Sequence, residues 1–347
     1  MKLKSSLIYY PLKFKFKAGT SRGVMTEKPS WFIQLENEKG EKGIGEASII
    51  PNLSPEWHPE KYPQKLKEVV QNTNYYINDY SSLEKYPSIK FALETACADL
   101  QNQPTGKVFP GEFYNNNRMI PINGLIWMGD EAFMNRQIEE KLSAGFSCIK
   151  MKIGAIDFET EIGLLKKIRT KYSKEEIIIR VDANGAFDEN NAFKNLDELS
   201  KLDIHSIEQP IPAGKWDFMA KLTKDSPIPI ALDEELIGIS EESERIELLE
   251  TIKPQYIILK PSLMDGISGA QNWIDIANKK SIGWWITSAL ESNIGLNAIA
   301  QFCDRNNPLI PQGLGTGGLY QQNVECPLYI EKGHLGYNPS KQWKYNF

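Results

Sequence analysis

At 347 residues the chain is too long for one small core and has room for a barrel with a second domain beside it. Apolar residues make up 41% and charged residues 24%, as in soluble globular proteins, and a net charge of −5 from 40 basic and 45 acidic residues supplies no positive field to hold nucleic acid. Cys97, Cys148, Cys303 and Cys326 lie far apart with no Cys-x-x-Cys pair, which argues against a zinc ribbon and for reduced thiols in a cytoplasmic protein.

In chain order, residues 3–16 alternate apolar and basic side chains without an unbroken apolar stretch, so they read as extended strand and not as a signal peptide. A second extended segment, 31–35, runs into the turn-like Glu36-Asn37-Glu38-Lys39-Gly40. Two helical stretches follow, 59–76 and 82–101, the latter with Ile89, Phe91, Ala92, Ala96 and Leu100 at helical spacing. These elements predict an α+β domain over residues 1–117, ending in the polar run Tyr114-Asn115-Asn116-Asn117-Arg118.

Beyond it the pattern becomes short apolar run, polar helix, apolar run. Strands are expected at 119–126, 148–153, 177–183, 204–209, 229–233, 256–260, 284–288 and 311–315, with helices at 131–144, 159–172 and 241–251. Eight strands alternating with helices predict a parallel (β/α) barrel over 118–318; the competing doubly wound sheet lacks a Gly-x-Gly-x-x-Gly after an early strand. Residues 319–347 are expected to pack back on the first domain. No run of about 18 apolar residues exists, so no membrane-spanning helix is expected.

The strand ends carry the chemistry. Alternation along Ile149-Lys150-Met151-Lys152 puts Lys150 and Lys152 on one face, and two lysines pointing into a barrel need opposite charge nearby. The next strands end in Asp182, Glu208, Asp233 and Lys260, at intervals of 26, 25 and 27 residues, each one βα unit. One such residue has ordinary explanations, an exposed edge or a helix cap; the agreement of five at barrel periodicity points to a site. Three converging carboxylates repel strongly in a shielded site, and a hard divalent cation relieves that repulsion, Mg²⁺ first and Mn²⁺ as its substitute. His58, His205 and His334 fall outside the register, which argues against zinc.

Lys150-Met151-Lys152, Asp182-Ala183-Asn184-Gly185, Glu208-Gln209-Pro210, Asp233-Glu234 and Lys260-Pro261 resemble the enolase superfamily, muconate-lactonizing branch, over nearly the whole chain. The resemblance implies a modified TIM barrel of (β/α)7β type under an N-terminal α+β capping domain. The mandelate-racemase branch would place a His–Asp pair where Lys260 stands. Within the branch, Thr287-Ser288-Ala289-Leu290-Glu291-Ser292-Asn293-Ile294-Gly295-Leu296, Arg180 two residues before Asp182, and Gly313-Leu314-Gly315-Thr316 resemble the o-succinylbenzoate synthases of menaquinone biosynthesis. These carry out syn dehydration of 2-succinyl-6-hydroxy-2,4-cyclohexadiene-1-carboxylate.

By that resemblance Asp182, Glu208 and Asp233 hold the metal and Lys152 removes the α-proton, its pKa lowered by Lys150, the cation and burial. The protonated Lys152 then helps the hydroxyl leave, and Lys260 stabilises the ene-diolate from the opposite face. Lys150, Arg180, Asn184, Ser288, Glu291, Gly313 and Gly315 bind or support the substrate, a small carboxylate, with neither nucleic acid nor membrane as partner and a homo-oligomer as one possible assembly. The cap loops at 18–24 and 49–53 are expected to close over the site. Three other readings stay open: a dipeptide epimerase or N-acylamino acid racemase using the same lysines, a non-catalytic metal-dependent carboxylate-binding barrel, and a phosphate-handling barrel whose Gly313–Gly318 run forms an anion nest. The first is weakened because 311–320 lacks the Asp-x-Asp with which dipeptide epimerases hold a substrate ammonium.

Overall fold

A computed structural model describes residues 3–20, 23–102, 106–345 and 347. Strands β1 (Lys4–Tyr9), β2 (Leu12–Thr20), β3 (Gly23–Lys28), β4 (Ser30–Glu36) and β5 (Lys42–Ser48) precede helices α1 (Lys61–Gln71), α2 (Thr73–Tyr76) and α3 (Pro87–Gln101). The extended run expected at 3–16 is therefore two strands, interrupted at Pro11, which has no N–H to give a ladder. The helix expected at 59–76 breaks at Asn72, whose side chain donates to Glu68 O at 2.9 Å. β1, β4 and β5 form an antiparallel sheet in the order β1-β4-β5, and β2 and β3 form a separate hairpin. Trp31, Ile33, Leu35 and Ala47 pack against Tyr62, Leu66, Ala92, Leu93 and Ala96. β5 lies directly on α3 because of Gly45, where an added Cβ would sit 2.0 Å from Ala92 O.

The second part opens with the short β6 (Ile120–Pro121) and alternates from there on: β7 (Gly124–Ile126), α4 (Glu131–Ser143), β8 (Cys148–Lys152), α5 (Phe158–Lys171), β9 (Ile178–Asp182), α6 (Ala192–Ser200), β10 (Ser206–Glu208), α7 (Trp216–Asp225), β11 (Ile230–Leu232), α8 (Glu242–Ile252), β12 (Tyr256–Leu259), α9 (Gly266–Lys279), β13 (Gly283–Ile286) and α10 (Asn293–Arg305). β7 to β13 make one sheet of parallel neighbours in sequence order. The eighth strand is reduced to two parallel bridges, Thr287 to Gly313 and Ile122 to Gln312, which join the last strand to the first. The outcome is the expected (β/α)7β barrel with seven helices α4 to α10. Ile149, Met151, Ile179, Val181, Ile207, Leu232, Ile257 and Leu259 face those helices in one continuous core.

The strand expected at 119–126 is split. β6 pairs with β15 (His334–Tyr337) of a C-terminal hairpin whose other strand is β14 (Leu328–Glu331). After Pro121 the backbone changes partner: Ile122 N donates to Gly333 O, and Asn123 N to Gln312 O, each at 2.9 Å. The C-terminal segment also meets the β2–β3 hairpin, with Lys15 N donating to Leu319 O at 2.9 Å and Gln321 N to Lys13 O at 2.8 Å.

The first part sends two carboxylates onto barrel helices. Glu94 of α3 accepts from Ile267 N at 2.6 Å at the start of α9. Glu46 of β5 accepts from Ser292 N at 2.9 Å and Gly295 N at 3.0 Å at the start of α10. Each answers the orphan N–H groups and positive dipole of a helix N-terminus. Among the described residues no helix is long and apolar enough to cross a membrane.

Candidate active site

The period-two alternation that turns Ile149 and Met151 to the helices turns Lys150 and Lys152 into the barrel. In the parallel register Lys152 stands opposite Asp182, and Asp182 opposite Glu208, so three successive strands end at one level. Asp233 follows the last residue of β11, and Lys260 the last of β12. Lys150 Nζ donates to Glu208 Oε2 at 2.5 Å and lies 3.0 Å from Asp182 Oδ2. Lys152 Nζ donates to Asp182 Oδ2 at 3.0 Å and to Asn184 Oδ1 at 2.6 Å. Lys260 Nζ donates to Asp233 Oδ2.

The turns after these strands hold the set. Asn184 and Gln209 have φ of 44° and 40°, left-handed backbone that reverses the chain just past Asp182 and Glu208. Gln209 stitches two strand ends together: its Oε1 accepts from Asp233 N at 3.2 Å and its Nε2 donates to Glu235 Oε2 at 3.0 Å. Asn184 Nδ2 donates to Glu234 Oε1 at 3.1 Å, adding a fourth carboxylate to the rim.

Burial pulls the Lys150 ammonium down, but Asp182, Glu208 and Asp233 outweigh it and hold Lys150 above the ordinary lysine range. Lys260 is raised in the same way, burial opposed by Asp233, Glu234 and Glu208. Asp182 is held well below the usual carboxylate range because the charges of Lys150 and Lys152 overcome its burial. Glu208 is pushed well up, by burial first and then by Asp182 and Asp233.

The rim opens into a cavity of about 420 Å³. Lys150, Lys152, Asp182, Asn184, Glu208 and Lys260 form its floor, and Ser288, Gly313 and Gly315 line its seventh- and eighth-strand side. The expected cap loops reach it as well, through Gly23 to Glu27 and Ile50 to Leu53; Ser21 and Arg22 of the first loop lie outside the described residues. Asp233 sits behind Lys260, outside the lining.

Two of the residues expected to bind or support the substrate, Arg180 and Glu291, lie outside the cavity lining. Arg180 is one inward position below Asp182, its guanidinium 4.1 Å from the Trp285 ring and donating to Pro311 O at 2.7 Å; it supports the floor from underneath. Glu291 is fully buried beneath the cap and accepts from Ser262 Oγ at 2.5 Å. Conversely, Asn123, Leu125, Trp127 and Trp285, and Thr287 at the head of the seventh-strand motif, line the cavity without being among the expected site residues. The alternation rule that found Lys150 and Lys152 finds them too when applied to the first and seventh strands.

The donor set at the rim is all oxygen, and Glu208 Oε1 and Asp233 Oδ1 are buried with no hydrogen-bond partner. Such lone pairs fit a hard divalent cation. Among the described residues the three carboxylates are not gathered on one centre; Lys150 bridges Asp182 and Glu208, and Lys260 takes Asp233. No histidine is part of the set: His205 precedes β10 and packs on Tyr256 with ring centroids 5.2 Å apart.

Residues 134–335 match the model of the enolase C-terminal domain-like family. The chain is 45% identical over 358 residues to an o-succinylbenzoate synthase of Desulfotalea psychrophila, covering 94% of this chain and 96% of that one. It superposes on the crystal structure of MenC from Desulfotalea psychrophila LSv54 with a TM-score of 0.83 and 41% identity over 96% of this chain and 99% of that chain. A dipeptide epimerase from Enterococcus faecalis V583, solved with Mg and the dipeptide L-Leu-L-Tyr, shares the fold at a TM-score of 0.85 and 21% identity, covering 97% of this chain and 98% of that chain. The chain belongs to the enolase superfamily, and its similarity to an o-succinylbenzoate synthase extends along nearly its whole length.

Proposed function

We propose that this protein is a hydro-lyase that converts 2-succinyl-6-hydroxy-2,4-cyclohexadiene-1-carboxylate into 2-succinylbenzoate by syn dehydration, in the cytoplasm, as a step of menaquinone biosynthesis. The observation that carries this reading is the pair of inward lysines on either side of a carboxylate rim: Lys152 held by Asp182 and Asn184, Lys260 by Asp233. Bound Mg²⁺, held by Asp182, Glu208 and Asp233, would supply charge stabilisation to the substrate carboxylate as electron density moves onto it.

This chain's own groups do the rest. Neutral Lys152 takes the α-proton, with Asn184 Oδ1 fixing its Nζ, and then returns a proton to the departing hydroxyl on the same face. Lys260, kept protonated by its three carboxylate neighbours, faces the developing negative charge. Lys150 binds two of the rim carboxylates and orients them. The apolar wall of Leu125, Trp127, Leu53 and Met25 excludes water and receives the ring. The eighth-strand side offers Gly313, Gly315 and Thr316 and no carboxylate for a substrate ammonium, which favours dehydration over dipeptide epimerisation.

The test is incubation of the Mg²⁺-loaded protein with the cyclohexadiene carboxylate, following the aromatic product by absorbance. Lys152→Ala is expected to lose about 10³-fold or more in kcat/KM while staying folded. Dehydration near the wild-type rate in that variant would end the assignment.

A further inference from the structure

Lys28, Glu46 and Glu291 are fully buried, and none of them lines the cavity. They stand at the roots of four segments that do, or that carry its floor. Lys28 closes β3, the strand whose residues Gly23 to Glu27 line the cavity, and its Nζ donates to Ser48 Oγ. Ser48 is the last residue of β5, directly before the second cap loop. Glu46, two residues earlier, accepts from Ser30 Oγ at 2.6 Å and Ser292 N at 2.9 Å on one oxygen, and from Ser292 Oγ at 2.5 Å and Gly295 N at 3.0 Å on the other. Glu291 Oε1 takes the Ser262 hydroxyl, two residues beyond Lys260.

The approach is close enough to require glycine at 295. An added Cβ there would fall 2.7 Å from the Glu291 side chain and 2.9 Å from Glu46 Oε2. The three charges act on one another: burial lowers Lys28 while Glu46 and Glu291 oppose it, and burial raises Glu291 while Lys28 opposes it. Glu291 Oε2 has no hydrogen-bond partner, so beyond the Ser262 hydroxyl on Oε1 the main support of its charge is the field of Lys28.

Leu290, next to Glu291, forms part of the cavity wall with φ of 61°, a conformation disfavoured for a side chain with a Cβ. Its N–H donates to Ser288 Oγ at 3.3 Å, and its carbonyl accepts from Tyr320 Oη at 2.5 Å. Leu290 and Ile50 of the second cap loop share one apolar cluster with Leu12, Ala18 and Tyr320.

We propose that Lys28 and Glu291, anchored through Glu46, are positioning residues that set how both cap loops and Leu290 sit over the lysines, and thereby govern substrate capture rather than the proton-transfer step. The assay half of the test rests on the dehydratase reading; the loop half does not.

The variants are Glu291→Gln, Lys28→Met and, as the gentlest cut, Ser48→Ala. Each is read by kcat and KM with the cyclohexadiene carboxylate and by amide exchange without substrate. Glu291→Gln and Lys28→Met are expected to raise KM about tenfold with kcat within about twofold, because the interaction lost is uniform between ground and transition states. Amides of 23–27 and 50–54 are expected to exchange about tenfold faster in all three variants, with 149–152 unchanged. The Lys28→Met/Glu291→Gln pair should cost less than the product of the single changes, since the two remove one shared interaction. Unaltered loop exchange in Ser48→Ala and in every other variant that folds would overturn the proposal, as would a fall in kcat at constant KM. If the wild type gives no turnover while the loop exchange changes as stated, the dehydratase reading fails and the anchoring stands.

Discussion

The cluster of lysines and carboxylates at the barrel rim and the Lys28–Glu46–Glu291 cluster beneath the cap differ in how their carboxylates are completed. Glu46 under the cap has both oxygens used twice, by two hydroxyls and two helix N–H groups. At the rim, Glu208 Oε1 and Asp233 Oδ1 are as deeply buried and have no partner. A carboxylate saturated by hydroxyl and peptide donors from several segments is a joint. One that keeps a lone pair beside a cavity is stored cost, retained because something else binds there.

The sharpest way to break this contrast is to neutralise one carboxylate in each cluster. Glu208→Gln is expected to lose at least ~100-fold in kcat/KM with an unfolding midpoint unchanged or higher, because it removes a like charge from a crowded rim. Addition of Mg²⁺ is expected to raise the melting temperature of the wild type by mass action and to leave that of Glu208→Gln almost unmoved; equal shifts would remove Glu208 from the ligand set. Glu46→Gln reverses the pattern. An amide cannot accept on both sides, so at least one N–H at the start of α10 loses its acceptor, and the unfolding free energy is expected to fall by about 3–4 kcal/mol in chemical denaturation. A stable Glu46→Gln or an unstable Glu208→Gln would dissolve the distinction.

The rim was legible in the sequence and the joint was not, for a physical reason. Barrel geometry imposes a local rule, alternation along a strand and one βα unit between strands, so Lys150, Lys152, Asp182, Glu208, Asp233 and Lys260 announce themselves by spacing. The same alternation on the first and seventh strands marks Asn123, Trp127 and Trp285. Glu46 meets Ser292 across 246 residues, and nothing local marks that contact. Glu291 shows the consequence: the resemblance marks it only as a residue that binds or supports the substrate, and its side chain lies in the joint, outside the cavity lining. Strand boundaries failed where backbone partners change, as at Pro121, and where the eighth strand thins to two bridges.

Asp99 of α3 is an intermediate case that sharpens the rule. It is buried and accepts from two peptide donors, Ile44 N at 3.0 Å and Gly106 N at 3.1 Å, as many as Glu46 has but without the two hydroxyls that complete Glu46. Burial outweighs them and pushes its pKa up from 3.8 to about 6. With the folded value above the unfolded one, the fold binds the proton more tightly. The stabilisation is complete below about pH 4 and is lost as pH rises through about 6. Relative to Asp99→Asn, which cannot titrate, wild-type unfolding free energy is expected to drop by up to ~3 kcal/mol between pH 4 and pH 7. A parallel pair of pH profiles would mean that the two donors suffice.

The smallest effect is expected at the other joint. Glu94 accepts from Ile267 N at 2.6 Å and from Ser268 Oγ at 2.6 Å, and beside it Lys90 pairs with Asp265 at 2.6 Å, with Arg245 3.3 Å from the same carboxylate. This cluster also ties cap to barrel through a helix N-terminus, but Ser268 is exposed, Asp265 only partly buried, and none of its residues roots a cavity loop. Water can replace part of what Glu94 supplies. Glu94→Gln is therefore expected to cost about 1 kcal/mol, with KM and loop exchange unaltered. A KM rise equal to that of Glu291→Gln would mean that any loosening of the cap reaches the site. The special place of the Lys28–Glu46–Glu291 cluster would then reduce to its contribution to stability.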